Sequence, residues 1–412
     1  MTPLSVVDVD TFRALLADPG PLAVTAAISA LDDGRDALRV SHDLRREFTA
    51  LPASVAAAAM TQAQLRRRAR AKFGAMAERM WFTTDGVEQA TRAQVADHRA
   101  ARFGRLNDSP GRALRVADLC CGIGGDLQAL VRAGCRVSGF DRDPLTIEVA
   151  RANITALGLA DIAVGVDVDC LDVETLDLHE FDAAFLDPAR RHDGRRTFDV
   201  RAYSPSWPYV ARVLHTMPAA VKVAPGIPHD LVADDVEAEW VSFEGDVKEA
   251  VLWSAPLATP GVRRRATLLP SQATLVAGDG GPPAAGGPLR YLYEPDGAVV
   301  RAHLVAEVAQ LIGGRLLDAS TAYLTSDRLV PTPFARAFEI EHVMGFSLKQ
   351  LRHELRARDV GAVTIMKRGS AVDVEKLRRD LRLTGHGHAV VVLALVGGRH
   401  QVLIAQPVRP PV

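Results

Sequence analysis

The run Val116-Ala117-Asp118-Leu119-Cys120-Cys121-Gly122-Ile123-Gly124-Gly125-Asp126 decides the fold, because an apolar strand ends on an acid and then turns through three glycines into a helix. Glycine is required where the backbone reverses tightly and nears a ligand with no Cβ in between, and the helix that follows offers unpaired N–H groups. A dinucleotide site wants Gly-x-Gly-x-x-Gly, whose last glycine lets helix and strand pack closely and sets a pyrophosphate on the helix N-terminus. Gly122 and Gly124 satisfy the first two positions, and Leu127 stands at the third. Asp118 argues further against a pyrophosphate, since a carboxylate repels it and pairs instead with an ammonium group.

S-adenosylmethionine (SAM) carries such an ammonium at its methionine end, and the stretch resembles motif I of class I SAM-dependent methyltransferases. The resemblance implies cofactor contacts from Asp118, Cys120, Gly122, Gly124, Gly125 and Asp126. The plain alternative is a tight strand-to-helix turn with no ligand. About twenty residues on, the next strand ends at Phe140-Asp141-Arg142, where an acid can accept both ribose hydroxyls of a nucleoside; Asp141 is the expected ribose ligand, with Arg142 beside it, or else the cap of the helix from Pro144. In the family, an acid after the third strand bonds the adenine amino group. Asp172 is the choice here, with Asp167, Asp169 and Asp177 in competition.

The fourth strand runs into Phe185-Leu186-Asp187-Pro188-Ala189-Arg190-Arg191, which resembles the Asp/Asn-Pro-Pro-aromatic motif IV of methyltransferases that modify a planar nitrogen. A carboxylate and a proline-fixed carbonyl can together accept both hydrogens of an exocyclic amine. Asp187, Pro188 and Arg190 are therefore the expected catalytic residues. Ala189 replaces the second proline and Arg190 the aromatic ring, although a guanidinium plane can also stack on a base. A uracil-C5 mechanism needs a cysteine nucleophile downstream, and none follows Cys170. Arg191, Trp207 and Lys222 are candidate substrate contacts, as base stacker or phosphate partners; the ordinary readings are a rim Trp and a lysine paired with a carboxylate. Trp81-Phe82-Thr83 and Glu88-Gln89-Ala90-Thr91-Arg92 are candidates to cover the cofactor.

Outward from the motif, 412 residues predict two or three domains, and 48% hydrophobic with 24% charged residues describe a globular protein. No apolar run approaches the roughly 20 residues of a membrane span, and the acidic N-terminus is unlike a secretion signal, so a cytoplasmic protein is expected. Four cysteines cluster centrally without two Cys-x-x-Cys pairs, so no metal is expected. A net charge of -1 limits any nucleic-acid surface to a local patch. Residues 1–108 read as a helical region that includes the positive run Arg66-Arg67-Arg68-Ala69-Arg70-Ala71-Lys72, which is either an RNA contact or a solvated helix. Residues 109–275 alternate strand and helix, with strands expected at 115–119, 136–140, 162–166, 183–186 and 220–223. Runs at 239–243, 248–253 and 265–269 follow, as an antiparallel addition at one sheet edge. Residues 276–288 form a Gly/Pro linker.

Residues 289–412 make a smaller α/β unit with helices near 300–312, 347–358 and 373–381 and strands at 361–366 and 389–395. Its segment Val363–Gly369, followed by Val374–Arg379, resembles a THUMP-like domain. The whole chain is similar to a bacterial family of class I SAM-dependent methyltransferases with that domain at the C-terminus, distantly similar to trimethylguanosine synthases. The fold expected is α/β: a Rossmann-like methyltransferase sheet, an N-terminal helical region and a C-terminal THUMP-like domain. THUMP domains bind RNA, and Lys367, Arg368, Lys376, Arg378, Arg379 and Arg382 form a local basic cluster suited to phosphates. The function expected is SAM-dependent methylation of a base nitrogen in tRNA or rRNA. The competing readings are a small-molecule or protein methyltransferase, a SAM-responsive RNA-binding module without turnover and, more distantly, a dehydrogenase.

Overall fold

The computed structural model describes residues 7–107, 112–162, 165–189, 191–192, 195–196, 202–278, 280–368 and 372–408. The chain forms two compact units, Met1–Val236 with Val251–Pro260, and Glu237–Ala250 with Gly261–Val412.

The first unit opens with six helices: α1 (Val9–Leu16), α2 (Gly20–Asp32), α3 (Ala37–Glu47), α4 (Ala53–Phe73), α5 (Thr84–Gln89) and α6 (Ala93–Gly104). Asp8 and Asp36 cap α1 and α3 by accepting backbone N–H bonds, as short acids do at helix starts. The alanine-rich α4 is buried on most sides and stops at Gly74, whose φ of +55° suits glycine. Phe12, Leu15, Val24, Leu65, Phe73, Met80 and Phe82 share one apolar core with Ile123 and Val149, so the helices and the glycine turn bury each other. The charges of the Arg66–Lys72 run are used internally. Arg66 is buried, donates to the Met80 carbonyl at 2.8 Å and lies over the Trp81 ring, and burial pushes its pKa down to about 10. Arg67 and Arg70 bind Asp32, and Lys72 caps the end of α5 through the carbonyls of Val87, Glu88 and Ala90.

The α/β part follows with β1 (Arg115–Leu119), α7 (Gly125–Arg132), β2 (Arg136–Asp141), α8 (Pro144–Leu157), α9 (Leu159–Ile162), β3 (Asp167–Cys170), β4 (Ala183–Leu186), a small hairpin β5 (Arg191–His192) and β6 (Arg195–Arg196), α10 (Trp207–Thr216) and β7 (Ala219–Val223). Parallel pairing gives the order β7-β4-β1-β2-β3. Strand order reverses at β1, which places a crevice at the carboxyl ends of β1 and β4, where open α/β sheets bind ligands. The third strand lies five residues later than expected. Residues 159–162 continue helically after the Gly158 cap, and β3 is an edge strand with Val168 as its one buried side chain, so it carries little apolar signal.

Leu127 also has a physical reason. A Cβ at Gly139 of β2 would lie 2.8 Å from the Leu127 side chain, so the small residue that admits the helix stands on the strand instead of on α7.

In the second unit, β8 (Glu237–Phe243) leads through Glu244 and Gly245, both at positive φ, into β9 (Asp246–Trp253), a two-residue turn of hairpin type. β9 crosses into the first unit, where its last residues follow β7. β10 (Arg264–Leu269) pairs parallel to β8 and antiparallel to β11 (Ala273–Val276), so the β8–β10 pair corrects the expected antiparallel addition. The ten residues between β9 and β10 allow a crossover instead of a hairpin. Buried Glu237 and Glu239 of β8 are met by Arg265 and Thr267 of β10 at 2.6 Å each.

A seven-stranded sheet completes this unit, from β12 (Tyr291–Pro295), β13 (Arg315–Leu316), β14 (Leu324–Ser326), β15 (Ala335–Gly345), β16 (Val360–Arg368), β17 (Gly387–Val396) and β18 (Arg399–Pro407), in the order β13-β14-β12-β15-β18-β17-β16. The helix expected near 300–312 is two, α11 (Gly297–Arg301) and α12 (Val305–Ile312), broken at His303 with φ +56°. α13 (Leu348–Ala357) and α14 (Val374–Leu381) set Leu351, Leu355, Leu377 and Leu381 against Val391, Leu393 and Ile404.

Candidate active site

Asp118 lies in the central strand β1, flanked by buried Val116, Ala117 and Leu119, and is itself 0% exposed. Neither of its carboxylate oxygens has a hydrogen-bond partner among the described residues. Burial, then the neighbouring Asp126 and Asp187, push its pKa well above the ordinary carboxylate value against the opposing pull of Arg99. A buried acid without a partner is costly unless a cation or donor arrives.

The turn after Asp118 is shaped by positive φ at Cys120 (68°), Gly122 (56°) and Gly124 (82°). The Cys120 and Cys121 N–H groups both donate to the Phe140 carbonyl, tying the turn to the end of β2. A Cβ at Gly122 would meet nothing within 4 Å, so that side of the turn is open. Asp141 receives the Gly122 N–H on one oxygen and the Asp143 N–H on the other, both at 3.1 Å, while burial raises its pKa. Burial likewise holds the Cys120 and Cys121 thiols far above their ordinary value, which leaves them protonated and poor nucleophiles.

Asp126, at the start of α7, does not face open space. It is ion-paired with Arg99 and accepts from the Thr91 hydroxyl at 3.3 Å. The Lys222 ammonium, on β7, donates to the Thr91 oxygen at 2.8 Å and to Asp187 Oδ2 at 2.6 Å. Thus Asp187, at the end of β4, joins a buried chain that runs through Lys222 and Thr91 to Asp126 and Arg99. Arg99 also stacks over the Phe185 ring at 4.5 Å. Pro188 is buried, and Ala189 pairs with Ser204 through two backbone bonds.

Of the residues singled out from sequence, Asp118, Cys120, Gly122, Gly124, Gly125, Asp126, Asp141, Asp187, Pro188 and Lys222 come together at the carboxyl ends of β1, β2, β4 and β7. Arg142 reaches across to the Ser204 hydroxyl at 3.1 Å. Asp172 is exposed and caps the short 3-10 turn after β3 through the Glu174 N–H. Trp207 begins α10, half-buried, edge-on to Tyr203. Arg190 lies outside the described residues, and of Arg191 only the backbone of β5 is described. Lys367 is exposed on the second unit, whereas Arg368 there is half-buried between Glu294, the Pro295 carbonyl and the Tyr323 ring.

Sequence reasoning missed Arg99. The signal was present, since Ala96, Arg99, Ala100 and Phe103 share the buried face of α6, and a charge on an apolar face demands a partner. Trp81 and Phe82 are core residues, their backbone pinned by Asn153 and Gln62. Among the described residues no cluster of His, Cys, Asp and Glu could hold a metal, and no single helix is long and apolar enough to cross a membrane.

Comparison with known proteins agrees with this geometry. Residues 116–196 match a methyltransferase domain, residues 335–407 a THUMP domain-like family, and residues 8–69 a domain of unknown function. The chain is 40% identical over 345 residues, 81% of its own length and 91% of the relative's, to an uncharacterized S-adenosylmethionine-dependent methyltransferase of Mycobacterium tuberculosis, found in two strains. A crystal structure of a putative methyltransferase from Porphyromonas gingivalis superposes with a TM-score of 0.70 at 22% identity, over 87% of this chain and 92% of that one, which shows the shared fold. A glycine turn beside an unpartnered buried acid on a parallel sheet, with an identity this high over this much of both chains, means that the protein belongs to the family of class I S-adenosylmethionine-dependent methyltransferases.

Proposed function

We propose that the protein methylates a base nitrogen in RNA, a tRNA or rRNA, with an exocyclic amine such as guanine N2 as the acceptor. Bound SAM supplies an electrophilic methyl group on a sulfonium. Asp118, without a hydrogen-bond partner among the described residues, fits the ammonium of the cofactor's methionine end, the open side of Gly122 with Gly124 and Gly125 gives the backbone room to approach it, and Asp141 takes the ribose. Asp172 is the proposed adenine contact, with Cys120 and Arg142 lining the same end. Asp187 and the Pro188 carbonyl would receive the hydrogens of the acceptor amine and turn its lone pair towards the methyl group; as the N–C bond forms the methyl–sulfur bond breaks, the thioether S-adenosylhomocysteine leaves, and Asp187 takes the proton that the nitrogen gives up. Arg190, Arg191 and Trp207 are proposed to meet the base and its phosphates.

The observation that carries the acceptor assignment is Asp187, held at the end of β4 with one carboxylate oxygen fixed by Lys222. Support for RNA comes from the THUMP-like match and from the exposed Lys367, Lys376, Arg378, Arg379 and Arg382. The resemblance to trimethylguanosine synthases is read from the sequence motifs alone, and guanine N2 is proposed from it. Four free thiols fit a reducing, cytoplasmic setting.

The test is incubation with labelled SAM and total RNA from a strain lacking the gene, with the labelled nucleoside identified by mass spectrometry. Asp187→Ala is expected to keep SAM affinity and lose transfer; full activity in that variant would remove Asp187 from the reaction. Label in protein or small molecules and none in RNA would establish the competing substrate class. Binding of SAM and RNA without turnover would identify a SAM-responsive binding module, a reading that the departures at Ala189 and Arg190 favour.

A further inference from the structure

Lys222 is 4% exposed, on a strand whose five residues are all buried, and it is not placed to meet a solvent-borne phosphate. Its ammonium is shared between Asp187 Oδ2 at 2.6 Å and the Thr91 hydroxyl oxygen at 2.8 Å. The Thr91 hydroxyl accepts from Lys222 and donates to Asp126 at 3.3 Å, and Asp126 is held in turn by Arg99. Thr91 stands in the turn between α5 and α6, so the helical region contributes a side chain to the acceptor end of the site.

We propose that Lys222 is a positioning residue for methyl transfer: with Thr91 as its second anchor it fixes one oxygen of Asp187 and leaves the other as the single carboxylate acceptor for the substrate N–H. This deepens the reading of Asp187 as the acceptor-binding acid and rests on it. Fixing Oδ2 removes the two-fold ambiguity of a carboxylate, so one in-plane direction remains for the acceptor nitrogen. It also ties the acceptor end of the site to the helix that begins under the cofactor turn, because the chain Asp187–Lys222–Thr91–Asp126 ends at α7.

Two isosteric variants test this. Lys222→Met keeps the bulk of the stem and removes the ammonium; Thr91→Val keeps shape and removes the hydroxyl. Lys222→Met is expected to lower kcat about 100-fold, as a displaced reacting group does. Thr91→Val is expected to lower it about 5-fold, the worth of one hydrogen bond. In both variants the loss should fall on kcat more than on the acceptor KM, and the salt dependence of RNA binding should stay at its wild-type value. A raised KM with kcat kept, together with a salt slope reduced by about one, would make Lys222 a phosphate ligand and overturn the proposal. Crystal structures of the wild type and Lys222→Met give a readout independent of turnover. The Asp187 side-chain torsion should change in the variant, and an unchanged torsion overturns the positioning role whatever the substrate proves to be. A moved Asp187 with no RNA methylated by the wild type would sink the RNA reading alone.

Discussion

Charge is arranged in opposite ways at two places in this molecule. Around β1 of the first unit, Asp118, Asp126, Asp141 and Asp187 crowd a buried crevice in which Arg99 and Lys222 answer Asp126 and Asp187 and nothing described answers Asp118. On the second unit, Lys367, Lys376, Arg378, Arg379 and Arg382 are exposed, on β16 and around α14. Buried charge left uncompensated acts over a few ångströms and selects one small cation, whereas exposed charge is screened and attracts polyanions without selecting among them. The first arrangement suits a cofactor and the second a nucleic-acid backbone.

The largest effect that would break this contrast is expected at Asp118. Asp118→Asn should weaken SAM binding by about 3 kcal/mol, roughly 150-fold, in calorimetry, because a buried ion pair with the cofactor loses one partner. The same variant should melt higher than the wild type without cofactor, since it no longer buries a lone acid. Unchanged SAM affinity in Asp118→Asn would remove Asp118 from contact with the cofactor's ammonium. Next comes the quadruple variant Lys367→Gln, Lys376→Gln, Arg379→Gln, Arg382→Gln, expected to weaken RNA binding roughly 50-fold and flatten its salt dependence by about three, with SAM affinity unchanged. Equal loss of both affinities would erase the division of labour.

A pH series sharpens the contrast further. The raised Asp118 pKa means that the folded protein without cofactor holds this proton more tightly than the unfolded chain does. Its contribution to stability is therefore present below the ordinary value of 3.8 and is lost as pH rises from there towards the raised value, so the melting advantage of Asp118→Asn should widen over that window. SAM affinity should move the other way, falling about tenfold per unit as pH drops below the raised value, because the cofactor's cation must displace the proton. The smallest effect is expected from Arg67→Gln and Arg68→Gln. Both side chains sit in surface ion pairs, with Asp32 and Glu88, so RNA affinity should be unchanged and stability lowered by about 0.5 kcal/mol in denaturant titrations.

The parallel sheet and the glycine turn were legible because they are local: the glycines at 122 and 124 and the acids at 118, 141 and 187 sit at fixed offsets from apolar strands. The buried chain through Thr91 and Arg99 was not, since it joins residues up to 131 positions apart and is created by packing α6 on the sheet. Two basic runs also proved different. In Arg66–Lys72 the neighbours Asp32, Glu78 and Glu88 and the end of α5 take up the charge, while on α14 Glu375 lies beside Arg378 and Lys376 and Arg379 are exposed. β3 was displaced for a related reason: an edge strand needs one buried side chain and otherwise writes no apolar run.

The exchange of sizes between Leu127 and Gly139 has a consequence for how this cofactor site can change over generations. Restoring glycine at 127 alone would open a hole costing about 2–5 kcal/mol, and enlarging 139 alone would press a new methyl group onto Leu127 and Val168. The packing of α7 on β2 thus couples positions 127 and 139, so that a change of size at one calls for the opposite change at the other.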